Sequence, residues 1–175
     1  MGKVIKLESG KALDEGMRDR MRRFVENELT WAEVEGMTAE LAGKISRIGC
    51  ELAAAGRLND ARIIFEGLVA GNPKDHAALS ALGTVYAKLQ RKPEAIDCFD
   101  KALALFDRNV VALSNRGELR LRGGDTGGLV DLAKAVEVDS RGMSAAGRRA
   151  RTLLTALAKA KNMQPQPARK VAAVR

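Results

Sequence analysis

Hydrophobic positions along the chain recur with helical spacing, and the spacing itself repeats after 34 residues. Residues 56–73 begin like a turn, contain Ala61 and Phe65 in an Ala-x-x-x-Phe arrangement, and end at a proline. The same skeleton returns at residues 91–109, where Ala95 and Phe99 stand 34 positions later. Because neither segment alternates with a period of two, both predict helices rather than strands.

The helix before each of these segments repeats with the same period. Apolar residues surround Gly49 within residues 45–52, and the same arrangement returns around Gly83. It also returns around Gly117, where fewer positions match. Packed helices approach to about 8–10 Å, so a small residue is needed where they cross. The glycines fill this need despite a helix penalty of roughly 1 kcal/mol relative to alanine. We therefore predict three helical hairpins with equivalent crossings at these glycines.

The full pattern is an apolar residue, then Leu-Gly, Tyr, Ala-x-x-x-Phe and Pro, and it resembles the tetratricopeptide repeat. The resemblance implies an all-α fold: a right-handed superhelical solenoid of three helical hairpins, with an N-terminal helical extension and a C-terminal capping helix. The predicted segments are a flexible N-terminus (1–10), an amphipathic helical extension (11–41), three repeats (42–75, 76–109 and 110–143), a capping helix (144–162) and a basic disordered tail (163–175).

The N-terminal extension carries an apolar stripe and a helix start. Thr30 and Glu33 form a capping-box sequence that predicts the start of a short helix. Burying a large apolar side chain is worth roughly 1.5–3 kcal/mol, so the stripe is expected to be covered. It must cover either the end of the solenoid itself or a second copy of the chain, and we favour the second, a homodimer. The stripe consists of Leu13, Met17, Met21, Phe24 and Val25.

The positive charge is concentrated near the C-terminus. The chain has 30 Lys and Arg against 22 Asp and Glu, a net charge of +8, yet no acidic residue follows Asp139. The bases beyond that point would suit a nucleic acid or an anionic membrane, but no aromatic residues are interleaved with them to stack on bases. We therefore favour a solvated helix and tail over a nucleic-acid or membrane tether.

Several kinds of chemistry find no support in the sequence. The chain has a single histidine, His76, interpreted as a solvated turn residue, and Cys50 and Cys98 lack metal-ligand or redox spacing. The glycine-rich residues 122–128 lack the Lys-Ser/Thr of a phosphate loop. We expect no enzymatic activity, cofactor or metal. Isolated thiols, no signal sequence and no long apolar run favour the cytoplasm.

The remaining candidate site is the concave surface, which the first helix of each repeat lines in such solenoids. The face opposite each packing stripe is small and neutral, so we expect it to hold an extended, partly apolar peptide. Its predicted residues are Ser46, Cys50, Ala53, Ala54, Ala77, Ser80, Thr84, Ala87, Lys88, Val111, Ser114, Glu118, Leu121 and Arg122. Some tetratricopeptide co-chaperones grip the acidic C-terminus of heat-shock chaperones with a clamp of Lys and Asn side chains. The matching positions here include Ser46, Cys50, Ala81, Thr84 and Ser114, so that clamp is absent.

A more specific resemblance covers roughly residues 30–160. It depends on Glu-Leu-Ala-Ala-Ala-Gly-Arg at residues 51–57, on Ala61-x-x-x-Phe65 with Leu68, and on Leu-Gly-Thr at 82–84 followed by Ala-Ile at 95–96. These motifs resemble the translocator chaperones of type III secretion systems. The resemblance implies a cytoplasmic chaperone for membrane-inserting secretion substrates, often dimeric through its N-terminal helix. The alternative is a tetratricopeptide adaptor that scaffolds a multiprotein complex.

Overall fold

The computed structural model describes residues 15–26 and 28–163, which form nine helices and contain no strand. The helices are α1 (Glu15–Val25), α2 (Trp31–Val34), α3 (Ala39–Ala54), α4 (Leu58–Gly71), α5 (His76–Lys88), α6 (Lys92–Leu105), α7 (Val110–Arg122), α8 (Gly128–Val138) and α9 (Ala145–Met163). The pairs α3–α4, α5–α6 and α7–α8 pack as three hairpins. The predicted all-α solenoid, with helices before and after three hairpins, is confirmed.

Two predicted segments lie outside the described residues. These are the N-terminal segment 1–10 and, apart from its first residue, the basic tail 163–175. Within the described residues, no helix is both long and apolar enough to cross a membrane.

The first helices of the hairpins begin at side-chain caps. Asp75 accepts hydrogen bonds from the first amides of α5, and Asn109, 34 residues later, accepts one from the amide of Ala112 in α7 at 3.1 Å. The corresponding cap of α3 is Thr38, which lies one turn earlier than the period predicts. Because these caps satisfy amides that have no partner inside the helix, they fix where each first helix starts.

The hairpins close where a phenylalanine ring of the second helix covers a glycine of the first. A Cβ atom added at Gly49 would lie 2.8 Å from Cζ of Phe65, and one added at Gly83 would lie 2.7 Å from Cε1 of Phe99. Both rings are almost completely buried. The two glycines therefore occupy equivalent crossings, and each is needed because the ring leaves no space for a side chain.

The third hairpin keeps this crossing with different residues. A Cβ atom at Gly117 would lie 2.8 Å from the carbonyl oxygen of Gly128 and 3.0 Å from Cγ of Leu132. Gly128 and Leu132 thus take the places of Ala95 and Phe99, but they follow the first-helix glycine one residue sooner. This shift explains why the Ala-x-x-x-Phe pattern is lost at a strict period of 34.

A partly buried ionic network replaces apolar packing in the same hairpin. Arg116 stands where the second repeat has an apolar leucine, and its guanidinium donates to Asp131 at 2.6 and 2.8 Å and to Asp100 at 2.6 Å. Arg120 donates to the same Asp131 carboxylate at 3.1 Å. Burial lowers the pKa of Arg116, but its hydrogen bonds to the two carboxylates raise it above its ordinary value. The network joins α6, α7 and α8.

The predicted helix start at Thr30 is confirmed. Its backbone amide donates to Oε2 of Glu33 at 2.7 Å, and the amide of Glu33 donates to Oγ1 of Thr30 at 3.3 Å. The resulting helix α2 buries Val34 completely and sets Ala32 against Gly71 of α4. Since α1 packs on α2 and α2 on α4, the extension joins the first hairpin through α2.

Candidate peptide-binding groove

The concave surface is closed at one end by α9. This helix packs against α7 and α8, at the position a further hairpin would need. Ala146 and Ala150 are buried there, and Oγ of Ser114 donates to the carbonyl of Ala146 at 3.0 Å. The exposed concave face is therefore formed mainly by α3, α5 and the parts of α7 that α9 leaves uncovered.

One part of this face is an apolar cleft of about 440 Å³ between α3, α5 and the start of α7. Its walls are small side chains, and its inner lining includes the buried Phe65 and Val85, which the sequence interpretation did not include. The predicted residues that line it are Ser46, Cys50, Ala53, Ala54, Ala77, Ser80, Thr84, Lys88 and Val111. We call this space the apolar cleft.

An adjoining space of about 540 Å³ lies between the C-terminal ends of α3, α5 and α7 and the start of α9. It shares Ala53, Thr84 and Lys88 with the apolar cleft, so the two form one continuous groove. The further predicted residues that line it are Ala87, Glu118 and Arg122. Residues that the sequence interpretation missed here include Asn115 and Arg149. We call this space the polar cleft.

Hydrogen bonds orient the polar side chains between the two clefts. Oγ1 of Thr84 donates to the carbonyl of Ser80 at 2.8 Å and accepts from Nδ2 of Asn115 at 2.8 Å. The Oδ1 atom of Asn115 in turn accepts from the guanidinium of Arg149. This chain of contacts links α5, α7 and α9, so α9 both closes the solenoid and supplies a side chain to the groove.

Two arginines of the polar cleft pair with a single carboxylate. Nη2 of Arg122 lies 2.5 Å from Oε1 of Glu118, and Nε of Arg149 lies 3.5 Å from Oε2 of the same residue. Lys88 directs its Nζ atom to the carbonyl of Ala53 at 3.4 Å. The groove is thus apolar in one half and predominantly basic in the other.

Two residues predicted to line the groove lie elsewhere. Ser114 is buried beneath α9, as its bond to Ala146 requires. Leu121 packs against the core cluster that α7, α8 and α9 form around Leu132. Both residues stand at the positions that the repeat spacing assigns to the groove. However, α8 and α9 cover this part of α7, and the spacing alone does not predict that cover.

The predicted dimerisation stripe is only partly described. Leu13 lies outside the described residues, and only the backbone of Met21 is described. Met17 is half-buried, and the ring of Phe24 meets Trp31 edge-on with 5.6 Å between the centroids. Val25 is 76% exposed. Within one chain, α1 therefore covers α2 and leaves an apolar side chain at its end in solvent.

The histidine and the cysteines have different surroundings. His76 is not the solvated turn residue that we expected, because its ring stacks at 4.7 Å on Phe106 and its carbonyl accepts from Asn109 of the next hairpin at 3.1 Å. Cys98 is buried, and this burial raises the pKa of its thiol to about 11. Cys50, in contrast, is exposed and lines the apolar cleft. Across the part of the chain that the structure describes, no cluster of three His, Cys, Asp or Glu residues could hold a metal ion.

Comparison with known proteins identifies the repeat and the fold. The family model for the tetratricopeptide repeat matches residues 76–109, which contain α5 and α6. No curated protein sequence matches the chain. Among solved structures, a type III secretion complex from Aeromonas hydrophila has a TM-score of 0.68 at 17% identity, over 83% of this chain and 99% of that one.

Two further structures share the fold. The translocator chaperone SycD of Yersinia enterocolitica has a TM-score of 0.65 at 16% identity, covering 73% of this chain and 97% of its own. PcrH of Pseudomonas aeruginosa, in complex with the chaperone-binding region of PopD, has a TM-score of 0.62 at 20% identity, covering 72% and 97%. The chain thus contains a tetratricopeptide repeat and shares the fold of type III secretion translocator chaperones, as its sequence predicted.

Proposed function

We propose that this protein is a non-enzymatic cytoplasmic chaperone that holds an extended segment of a secreted or membrane-inserting protein in its concave groove. The observation that carries the proposal is the apolar cleft, whose walls include Ala53, Ala54 and Ala77. Small side chains on α3 and α5, the first helices of neighbouring hairpins, leave room for the backbone and side chains of a peptide. The complexes of PcrH with the chaperone-binding regions of PopD and PopB support this assignment by analogy of fold.

The adaptor alternative places its partner on other surfaces, so blocking the groove separates the two. Ala54 is exposed and lines the apolar cleft, and Ala54→Trp should fill that cleft without disturbing the core. Ala104 on α6 is also exposed and does not line either cleft, which makes Ala104→Trp a matched control. Ala87 is less suitable because it packs against the buried core that α5, α6 and α7 form around Phe99.

The test is a quantitative pull-down from the source cell with the three forms of the protein. Partners held in the groove should be lost from Ala54→Trp by about tenfold or more, about 1.4 kcal/mol, and retained by Ala104→Trp. Alkylation of Cys50 in the folded wild-type protein gives an independent block, because Cys98 is buried. If the principal partner stays bound after both blocks, it does not occupy the groove and the adaptor function is supported instead.

A further inference from the structure

The polar cleft carries more positive than negative charge. Lys88, Arg122 and Arg149 line it, and Glu118 is the one acidic residue among its lining residues. Both arginines already share that carboxylate, which is 21% exposed, while their own side chains are 66% and 50% exposed. The three basic side chains and the one carboxylate therefore leave two positive charges uncompensated in the polar cleft, and donors of the basic side chains face solvent.

Lys88 lies between the two clefts and, among the described residues, has hydrogen-bond donors without a partner. It lines both clefts and, within the described part of the chain, has no carboxylate at ion-pairing distance. Its ammonium group has three donors, and the 3.4 Å contact with the carbonyl of Ala53 engages only one of them. A ligand that passes from the apolar cleft into the polar cleft must therefore pass an ammonium group with free donors.

We infer that the segment bound in the groove carries an acidic side chain beside its apolar anchor, and that Lys88, Arg122 and Arg149 bind this carboxylate. The inference rests on the proposed function and specifies the class of peptide. Hydrogen bonds between charged donors and a carboxylate are roughly twice as strong as neutral ones, and an arginine presents a fork of donors. The shared residues Ala53, Thr84 and Lys88 place the anchor and the acid within one short segment.

The same charges exclude other occupants. A peptide with lysine or arginine beside its apolar anchor would meet two uncompensated positive charges, so the polar cleft selects against it. The chain's own C-terminal residues are poor occupants for this reason, because residues 163–175 contain Arg169, Lys170 and Arg175 and no acid. We therefore assign the groove to an acidic-apolar segment of another protein.

Random peptides displayed on phage provide the probe. Peptides are selected on the immobilised full chain, and the strongest binders are synthesised with their acidic residue either kept or replaced by glutamine. Fluorescence anisotropy then gives Kd for both versions on four proteins. These are the wild type, Ala54→Trp, Lys88→Gln/Arg122→Gln and the control Lys74→Gln/Lys92→Gln, which removes the same charge from two exposed residues outside both clefts.

We expect Asp or Glu to be enriched among the selected peptides and the glutamine versions to bind the wild type about tenfold more weakly. That difference should shrink at high salt. It should vanish on Lys88→Gln/Arg122→Gln and persist on Lys74→Gln/Lys92→Gln. Suppose that Ala54→Trp abolishes binding but that the acidic and glutamine versions bind the wild type with the same Kd. That result would overturn this inference and leave the proposed function standing. Selected peptides that still bind Ala54→Trp, or no selected peptides at all, would overturn both.

Discussion

The crossing glycines make the packing of the hairpins testable by adding one methyl group. In Gly83→Ala the new Cβ would lie 2.7 Å from Cε1 of Phe99 and 3.1 Å from the carbonyl oxygen of Ala95. Phe99 is completely buried, so its ring has no open space to move into. Overpacking of this kind costs about 1–3 kcal/mol. The better helix propensity of alanine offsets up to about 1 kcal/mol of this cost.

Taking the propensity gain from the overpacking cost, we expect Gly83→Ala to lower the free energy of unfolding by roughly 0–2 kcal/mol. Gly117→Ala should lie at the upper end of that range, because its nearest neighbour is the carbonyl oxygen of Gly128, a backbone atom that cannot rotate away. The matched control is Gly67→Ala in α4, where a new Cβ meets nothing within 4 Å. Only the propensity gain of about 1 kcal/mol remains there, so this variant should be more stable than the wild type.

Urea denaturation followed by far-UV circular dichroism measures these differences. At comparable slopes, the midpoint should fall for Gly83→Ala and rise for Gly67→Ala. In thermal scans, 1 kcal/mol corresponds to about 2–4 °C for a domain of this size. If both variants move in the same direction, the glycine at the crossing is not required by packing and the argument for equivalent hairpins is refuted.

Three other properties can be tested on single variants. If the exposed Val25 lies in a dimer interface, Val25→Glu should halve the mass in light scattering, because the interface would bury a carboxylate; an unchanged mass contradicts the dimer. Asp131→Asn should lower the free energy of unfolding in urea by about 3 kcal/mol, because two arginines lose their buried partner. Asp97→Asn, in an exposed pair, should cost about 1 kcal/mol or less; equal losses would argue against burial as the cause. The hydrogen bond from Tyr86 lowers the pKa of Glu66 in the folded protein below its ordinary value of 4.5. The stability that ionised Glu66 contributes is therefore complete above pH 4.5 and is lost as the pH falls through the folded-state pKa. Tyr86→Phe should therefore lose less stability in acid, measured as urea midpoints against pH, and an unchanged profile would contradict this.

The repeating elements could be predicted because they depend on local sequence. Gly49 and Gly83 share a period with their covering phenylalanines, and the capping box at Thr30 is contained within four residues. The side chains of α3 and α5 that line the clefts follow from helical spacing once the packing stripe is known. For these elements, the periodicity of the sequence and the packing of the structure agree.

The remaining features depend on contacts between distant segments. In the third hairpin the crossing residues of the second helix come one position early, so Gly128 and Leu132 do not match at the repeat period although they perform the same packing role. The cover over Ser114 and the position of Arg149 both depend on how α9 rotates against α7. No local pattern specifies that rotation, so Arg149 was missed, whereas the spacing of the first helices did predict Lys88 and Arg122 as groove residues.

The position of α9 also limits how long a peptide the groove can hold. Because α9 occupies the place of a fourth first helix, only α3, α5 and α7 are available to a ligand that crosses the concave face. Neighbouring helices lie about 8–10 Å apart, so the three axes span roughly 16–20 Å. An extended chain covers that distance with about five or six residues. The capping helix thus sets the length of the groove: a peptide held there contacts it through about five or six residues, and the rest of the bound chain lies outside.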